Sequence, residues 1–206
     1  MTITGIEKRR KGMSALYIDG EYAMQLDTTT LLENRIKEGS ILDDEQLHEL
    51  IEASNLHRAK EKALYLITYR DHTKKELLTK IRRTCDEKSA LEAAERMEEM
   101  GLVNDEEYAK RYARELVLTK KLSASAAEYK LMQKGIARDV ARDIIEEICP
   151  EPKEQITALL ETKFAGKFGD EKLLKRTVAA LQRMGYRWGD IKSALNDCGT
   201  YEETEE

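Results

Sequence analysis

At 206 residues, with 36% charged side chains, 11 glycines and two prolines, the chain has the composition of a helical protein with heavily solvated outer faces. Its 41% hydrophobic content suffices for a core, but with only 6% aromatic residues that core must be made of Leu, Ile, Ala and Met. Three scattered cysteines (Cys85, Cys149, Cys198) without a CxxC pair argue against a disulfide framework and a zinc site, and no apolar run approaches the roughly 18 residues of a membrane span.

Residues 2–26 read as strands. Ile3 and Ile6, then Leu16 and Ile18, alternate, and Asp19-Gly20 is a tight-turn dipeptide leading to Tyr22, Met24 and Leu26. This predicts a hairpin over 14–26 with residues 2–9 as a third strand. From Asp27 the period changes to that of a helix carrying Leu31, Leu32 and Ile36 and ending at Gly39, and a second helix is expected from Asp43 with Leu47, Leu50 and Ile51. The opening sequence lacks the apolar stretch of a signal peptide, so a cytoplasmic location is expected.

After Asn55 the pattern is helical throughout. One helix carries Ala59, Ala63, Leu64, Leu66 and Ile67. Thr73-Lys-Lys-Glu76 reads as a capping box opening a helix with Leu77, Leu78 and Ile81, and Leu91, Ala94 and Met97 mark a third helix ending at Gly101. Asn104-Asp-Glu-Glu107 opens the next, with Tyr108, Tyr112, Leu116 and Val117. Helices over 126–134 and 137–148 follow, and Pro150 and Pro152 mark a boundary. The last helices carry Ile156, Leu159, Leu160 and Phe164, then residues 173–184 and 188–197, and a frayed acidic tail is expected over 199–206.

A phrase recurs at a spacing of 50 residues: Ile81, Leu131 and Leu181 are followed four positions later by Cys85, Gly135 and Gly185. A period of this length is a whole supersecondary unit of about three short helices. The expected architecture is mainly α: three tandem three-helix repeats in an elongated, curved array, preceded by a small N-terminal β-hairpin plus helices. The units are placed at 1–54, 55–103, 104–149 and 150–198, with the tail beyond. Such an array suits an extended partner better than a small molecule.

Charge is segregated. Residues 21–54 hold nine acids against two bases, residues 55–88 ten bases against five acids, and residues 110–142 nine bases against three acids. Candidate partner-binding residues are therefore Arg58, Arg70, Lys74, Lys75, Lys80, Arg82 and Arg83 in the first basic block, and Arg111, Arg114, Lys120, Lys121, Lys134 and Arg138 in the second. Such blocks attract phosphates or an acidic protein face. The aromatics do not interleave with these bases as on a strand-stacking platform: Tyr65, Tyr69, Tyr108 and Tyr112 lie at helical spacing and are assigned to the core, while Trp188 divides evenly between exposure and packing.

No catalytic constellation emerges. His48, His57 and His72 accompany no nucleophile elbow, and neither GxxxxGK[ST] nor GxGxxG occurs. Asp43-Asp44-Glu45 sits where a helix N-terminus favours acids, which accounts for it without magnesium. The reading is a binding protein with no cofactor and no metal.

Three stretches resemble the RecX regulatory proteins: Ala63-Leu64 through Tyr69-Arg70-Asp71-His72-Thr73 to Lys80-Ile81, Met100-Gly101-Leu102-Val103-Asn104-Asp105 to Tyr108-Ala109, and Gln133-Lys134-Gly135-Ile136. The hairpin ending in Asp19-Gly20-Glu21-Tyr22, with Gly39 to Leu42, is similar to the N-terminal extension of longer Gram-positive members. Cys85 departs from the glycine of the later repeats. The resemblance implies a non-enzymatic, monomeric regulator. It would bind the groove of the RecA filament on single-stranded DNA and modulate, mostly inhibit, ATP hydrolysis and strand exchange in recombination and repair. The alternative is a direct DNA-binding, helix-turn-helix-like regulator of single or double strands, for which Arg138, Arg142, Lys192 and Asn196 offer a thin set of reading residues opposed by Asp139 and Asp190. A helical scaffold for some other protein is a third reading.

Overall fold

The structure, a computed structural model, describes residues 1–166 and 170–198. The expected acidic tail at 199–206 lies outside the described residues. The chain forms two compact units, Met1–Asn104 and Asp105 onward.

The first unit opens with an antiparallel sheet of order β1-β2-β3: β1 (Ile3–Lys8), β2 (Met13–Ile18) and β3 (Glu21–Asp27). Asp19 and Gly20 both take positive φ, 51° and 92°, the backbone of a two-residue hairpin turn that matches strand twist. The outer edge of β1 is covered by the segment around Ser40: the Ile3 amide donates to the Ser40 carbonyl and the Gly39 amide to the Ile3 carbonyl, each at 2.8 Å. Helix α1 (Thr28–Glu33) is capped by Asp27, whose carboxylate accepts from the Thr30 amide at 3.0 Å. It ends at Asn34, five residues short of the expected Gly39, because Arg35 enters the left-handed region at φ 55°. Leu32, expected on the apolar face, is exposed.

Helix α2 (Asp44–Tyr69) is a single rod of 26 residues. Two helices separated near Asn55 were expected. No glycine or proline interrupts 44–69, so nothing breaks the hydrogen-bond ladder. Its first half buries Leu50 against Ile3, Leu16, Leu26, Leu31 and Leu42. There the buried Ser54 hydroxyl accepts the Asp27 amide at 2.8 Å, tying sheet to helix. Its second half buries Ala59 and Ala63 against α3 (Lys74–Ile81) and α4 (Glu87–Glu99), with Leu77, Ile81, Ala90, Ala93 and Met97. Small alanines let the helices approach closely, and α2 serves both cores. Leu64 and Leu91, expected inside, are 42% and 41% exposed, since Ala63 and Ala90 take the inward positions.

In the second unit, α5 (Asp105–Arg114) runs into a π-helical segment, Glu115–Thr119, whose wide turn is closed by the Lys120 amide to the Glu115 carbonyl at 2.9 Å. The widening allows the consecutive Leu116 and Val117 to be fully buried while Leu118 is exposed. Helices α6 (Ala124–Gln133) and α7 (Arg138–Ile148) complete a three-helix core with Ala127, Leu131, Ala141 and Ile145. Next come α8 (Pro152–Glu161), α9 (Glu171–Arg183) and α10 (Trp188–Asp197), around Ile156, Leu160, Leu181, Ile191 and Leu195. Pro152 stands in the first turn of α8, where its missing N–H costs no helical bond.

The recurrent phrase has a structural cause. Ile81, Leu131 and Leu181 are completely buried at the ends of α3, α6 and α9. After Leu131 and Leu181 the chain turns through Gly135 and Gly185 at φ 99° and 93°, and the Ile136 and Tyr186 amides donate back to the Leu131 and Leu181 carbonyls at 3.2 Å. At Cys85 this motif is replaced by a tighter closure, the Thr84 and Cys85 amides both donating to the Ile81 carbonyl.

The last two three-helix groups share a buried polar junction. The Ser123 amide donates to the Met184 carbonyl at 3.0 Å, and the Gln155 amide nitrogen donates to the Val117 carbonyl at 2.9 Å. The Tyr186 hydroxyl lies 2.8 Å from both the Lys121 carbonyl and Gln155 Oε1. Burial pushes the Tyr186 phenol pKa up and keeps it a donor.

Candidate partner-binding surfaces

In the first unit the basic block is organised by α3. Thr73 caps this helix, its hydroxyl accepting from the Glu76 amide at 3.2 Å. The Glu76 carboxylate also takes the Arg70 guanidinium, at 3.2 Å. Leu77 and Ile81 face the core, which turns Lys75, Arg82 and Arg83 outward. Arg82 pairs with Glu87, and Lys74 with Glu98 at 2.7 Å. Among the described residues, Lys75 and Arg83 are exposed without an ion pair. Lys80 is half-buried on α3 and Arg58 half-buried on α2.

His72 stands directly before this cap with 4% of its surface exposed, and Nδ1 has no hydrogen-bond partner among the described residues. Burial, then the charges of Arg70 and Lys80, lower its pKa, against a smaller opposing pull from Glu76. The imidazole is thereby held neutral.

Tyr65 and Tyr69 are not in the core. They are 55% and 71% exposed on the outer face of α2. Ala59 and Ala63 occupy the inward face, and Tyr65, two positions past Ala63, lies about 200° around the helix from it, with Tyr69 one turn further on. The rings meet edge to face, 4.9 Å between centroids, and the Tyr69 hydroxyl donates to that of Tyr65 at 2.9 Å. Lys62 places its ammonium 5.3 Å from the Tyr65 ring centroid. Aromatic and basic side chains therefore interleave here, against the sequence expectation. In the fold Tyr65 and Tyr69 share a face with the exposed Glu61 and Thr68, and the spacing of four by itself fits either face.

In the second unit, Lys120 and Lys134 come together over Tyr112, each ammonium 5.7 Å from the ring centroid. Lys120 also pairs with Glu115 at 2.8 Å. Lys121 adopts a left-handed backbone, φ 55°, and its side chain is half-buried. Arg111 and Arg114 are exposed on α5. Arg138 is exposed in the first turn of α7, an end that disfavours a cation, with Asp139 beside it. Tyr108 and Tyr112 are half-buried, and Trp188 is 43% exposed.

Asp27 meets both a histidine and a serine of α2, and the arrangement is structural. His57 Nδ1 lies 3.1 Å from Asp27 Oδ1, but the Ser54 hydroxyl is engaged by the Asp27 amide and is 1% exposed, so no nucleophile faces solvent there. Among the described residues no cluster of His, Cys, Asp and Glu could hold a metal ion, and no helix is long and apolar enough to cross a membrane.

These features define a mainly helical protein whose chain opens with a small sheet and continues in three-helix groups. Residues 104–145 match the family described as RecX, second three-helix domain. The chain is 30% identical to the regulatory protein RecX of Caldanaerobacter subterraneus subsp. tengcongensis, covering 95% of this chain and 99% of that one. It is 29% identical to that of Clostridium acetobutylicum, with 95% of each covered. The chain belongs to the RecX family of regulatory proteins. A crystal structure of regulatory protein RecX shares the fold, with a TM-score of 0.62 at 21% identity over 95% of this chain and 98% of the other. RecX from Lactobacillus salivarius gives a TM-score of 0.59 over 72% of this chain and 99% of the other, also at 21% identity.

Proposed function

We propose that this chain is a non-enzymatic regulator that binds the RecA filament on single-stranded DNA and modulates, mostly inhibits, its ATP hydrolysis and strand exchange. Family membership carries this reading. The outward basic face of α3 supports it, since Lys75, Arg82 and Arg83 stand together where an acidic protein surface or a phosphate can reach them. The second basic face, with Lys120 and Lys134 gathered on Tyr112 and Arg111 and Arg114 nearby on α5, adds to it. Preorganised helices lower the ordering cost of docking on a filament.

The test compares affinity for bare duplex, bare single strand and recombinase-coated strand at ordinary salt. The reading requires clear preference for the coated strand. Equal or tighter binding to bare duplex would transfer the assignment to a direct DNA-binding regulator.

A further inference from the structure

The outer face of α2 carries a feature that recombinase regulation does not require. Leu64, Tyr65 and Tyr69 are 42%, 55% and 71% exposed within two helical turns, while Ala59 and Ala63 of the same helix are completely buried. Leaving two tyrosines and a leucine in water side by side on one helix makes a contiguous exposed apolar patch of the kind that marks a contact surface. The pair is held in place: the rings contact edge to face, their hydroxyls are hydrogen-bonded, and Thr68 between them is anchored by its hydroxyl donating to the Leu64 carbonyl at 2.9 Å. Lys62 lies against Tyr65, and Arg70 directly follows Tyr69. One acid, Glu61, shares the face.

We infer that Tyr65 and Tyr69 form a stacking platform for unpaired bases of a single-stranded nucleic acid, with Lys62 supplying charge for its backbone. Rigid, solvent-facing aromatic rings beside basic side chains are what sequence-tolerant strand binding needs, because every base presents a π-face. A protein partner is less favoured. The Lys62 ammonium and the two phenol hydroxyls match a polyanion with aromatic side groups better than an apolar knob. The inference names a strand-facing element of the proposed regulator, yet it does not depend on the recombinase, because its test contains none.

The experiment is fluorescence anisotropy at moderate salt with the full chain and two labelled oligonucleotides of equal phosphate number, one of thymidines and one of abasic sites. The thymidine strand should bind more tightly. Tyr65→Ala with Tyr69→Ala should lower thymidine-strand affinity by about tenfold or more, towards the abasic level, with little effect on the abasic strand itself. Tyr65→Phe with Tyr69→Phe should retain affinity, since the ring faces persist, and both variants should melt as the parent does because the rings are exposed. Equal affinity for the two strands, no measurable strand binding, or an unchanged thymidine affinity in the alanine variant would overturn the inference. If that alanine variant lost recombinase inhibition with strand affinity intact, the face would belong to a protein contact and the inference would also fall.

Discussion

The hydroxyl of Tyr186, at the start of the last turn before α10, lies 2.8 Å from the side-chain oxygen of Gln155 on α8, and the same hydroxyl lies 2.8 Å from the Lys121 carbonyl. One hydroxyl proton faces two acceptors, the buried Gln155 oxygen and the half-buried Lys121 carbonyl, and Gln155 passes the connection to the Val117 carbonyl. The link joins the second and third three-helix groups through the hydroxyl of a ring that itself packs in the third core at the position equivalent to Ile136. Tyr186→Phe should destabilise the second unit by about 1–3 kcal/mol, because the buried Gln155 oxygen loses its donor. Urea denaturation followed by circular dichroism reads the change, and an unaltered midpoint would mean the junction is wet.

Gly185 should be irreplaceable where Gly101 is not. A Cβ at Gly185 would stand 2.5 Å from Ser123 Oγ and 2.6 Å from Ala126 Cβ, at φ 93°. Overpacking adds to left-handed strain, so Gly185→Ala should cost about 3 kcal/mol. Gly101 has φ 69° with open space around it, and Gly101→Ala should cost only about 1 kcal/mol. Thermal melts of the two variants should separate accordingly.

Truncation at the recurrent position should be uniformly severe. Ile81→Ala, Leu131→Ala and Leu181→Ala each remove a completely buried side chain at the end of a second helix, and each should lose about 2–5 kcal/mol. Chemical denaturation of the three variants checks this; a mild effect at one site would show that its local core collapses to fill the space.

His72 makes stability fall with acid. Its folded pKa lies below the ordinary imidazole value of about 6.5, because burial and then Arg70 and Lys80 oppose protonation. Below that pH the unfolded chain binds a proton more readily than the folded one, so stability decreases as pH drops towards the folded pKa and is fully present above about 6.5. Denaturant midpoints at pH 7.5 and 5.5 should differ less in His72→Gln than in the parent. Identical slopes would show that the imidazole protonates freely in the fold.

Charge reversal at Lys75 and Arg83 should weaken filament binding severalfold, with a steeper penalty at low salt, and leave the melting temperature within about the range of ordinary surface changes. These two are chosen over Lys74 and Arg82, whose ion pairs with Glu98 and Glu87 would also be broken. Titration of labelled filament at two salt concentrations checks the expectation.

The features legible in the amino-acid pattern were those set locally. Asp19-Gly20 specifies its turn by backbone conformation alone, and the Leu131–Gly135 and Leu181–Gly185 phrases specify a buried last turn and its reversal. The continuity of α2 was missed because its two halves bury opposite partners, a sheet and a helix pair, so its apolar stripe shifts and reads as two helices. Tyr65 and Tyr69 were placed inside because tyrosine spacing of four fits either face; only the deeper burial of Ala59 and Ala63 decides. The Gln155–Tyr186 contact spans 31 residues and rests on polar atoms, for which apolar periodicity carries no signal.

The central claim, regulation of a recombinase by a helical protein that performs no chemistry of its own, is tested most directly by ATP hydrolysis of RecA on single-stranded DNA as this chain is added in substoichiometric amounts. The account predicts that hydrolysis falls progressively, well before one chain is present per recombinase subunit. An unchanged rate up to and beyond equimolar chain, with the filament intact, would contradict it.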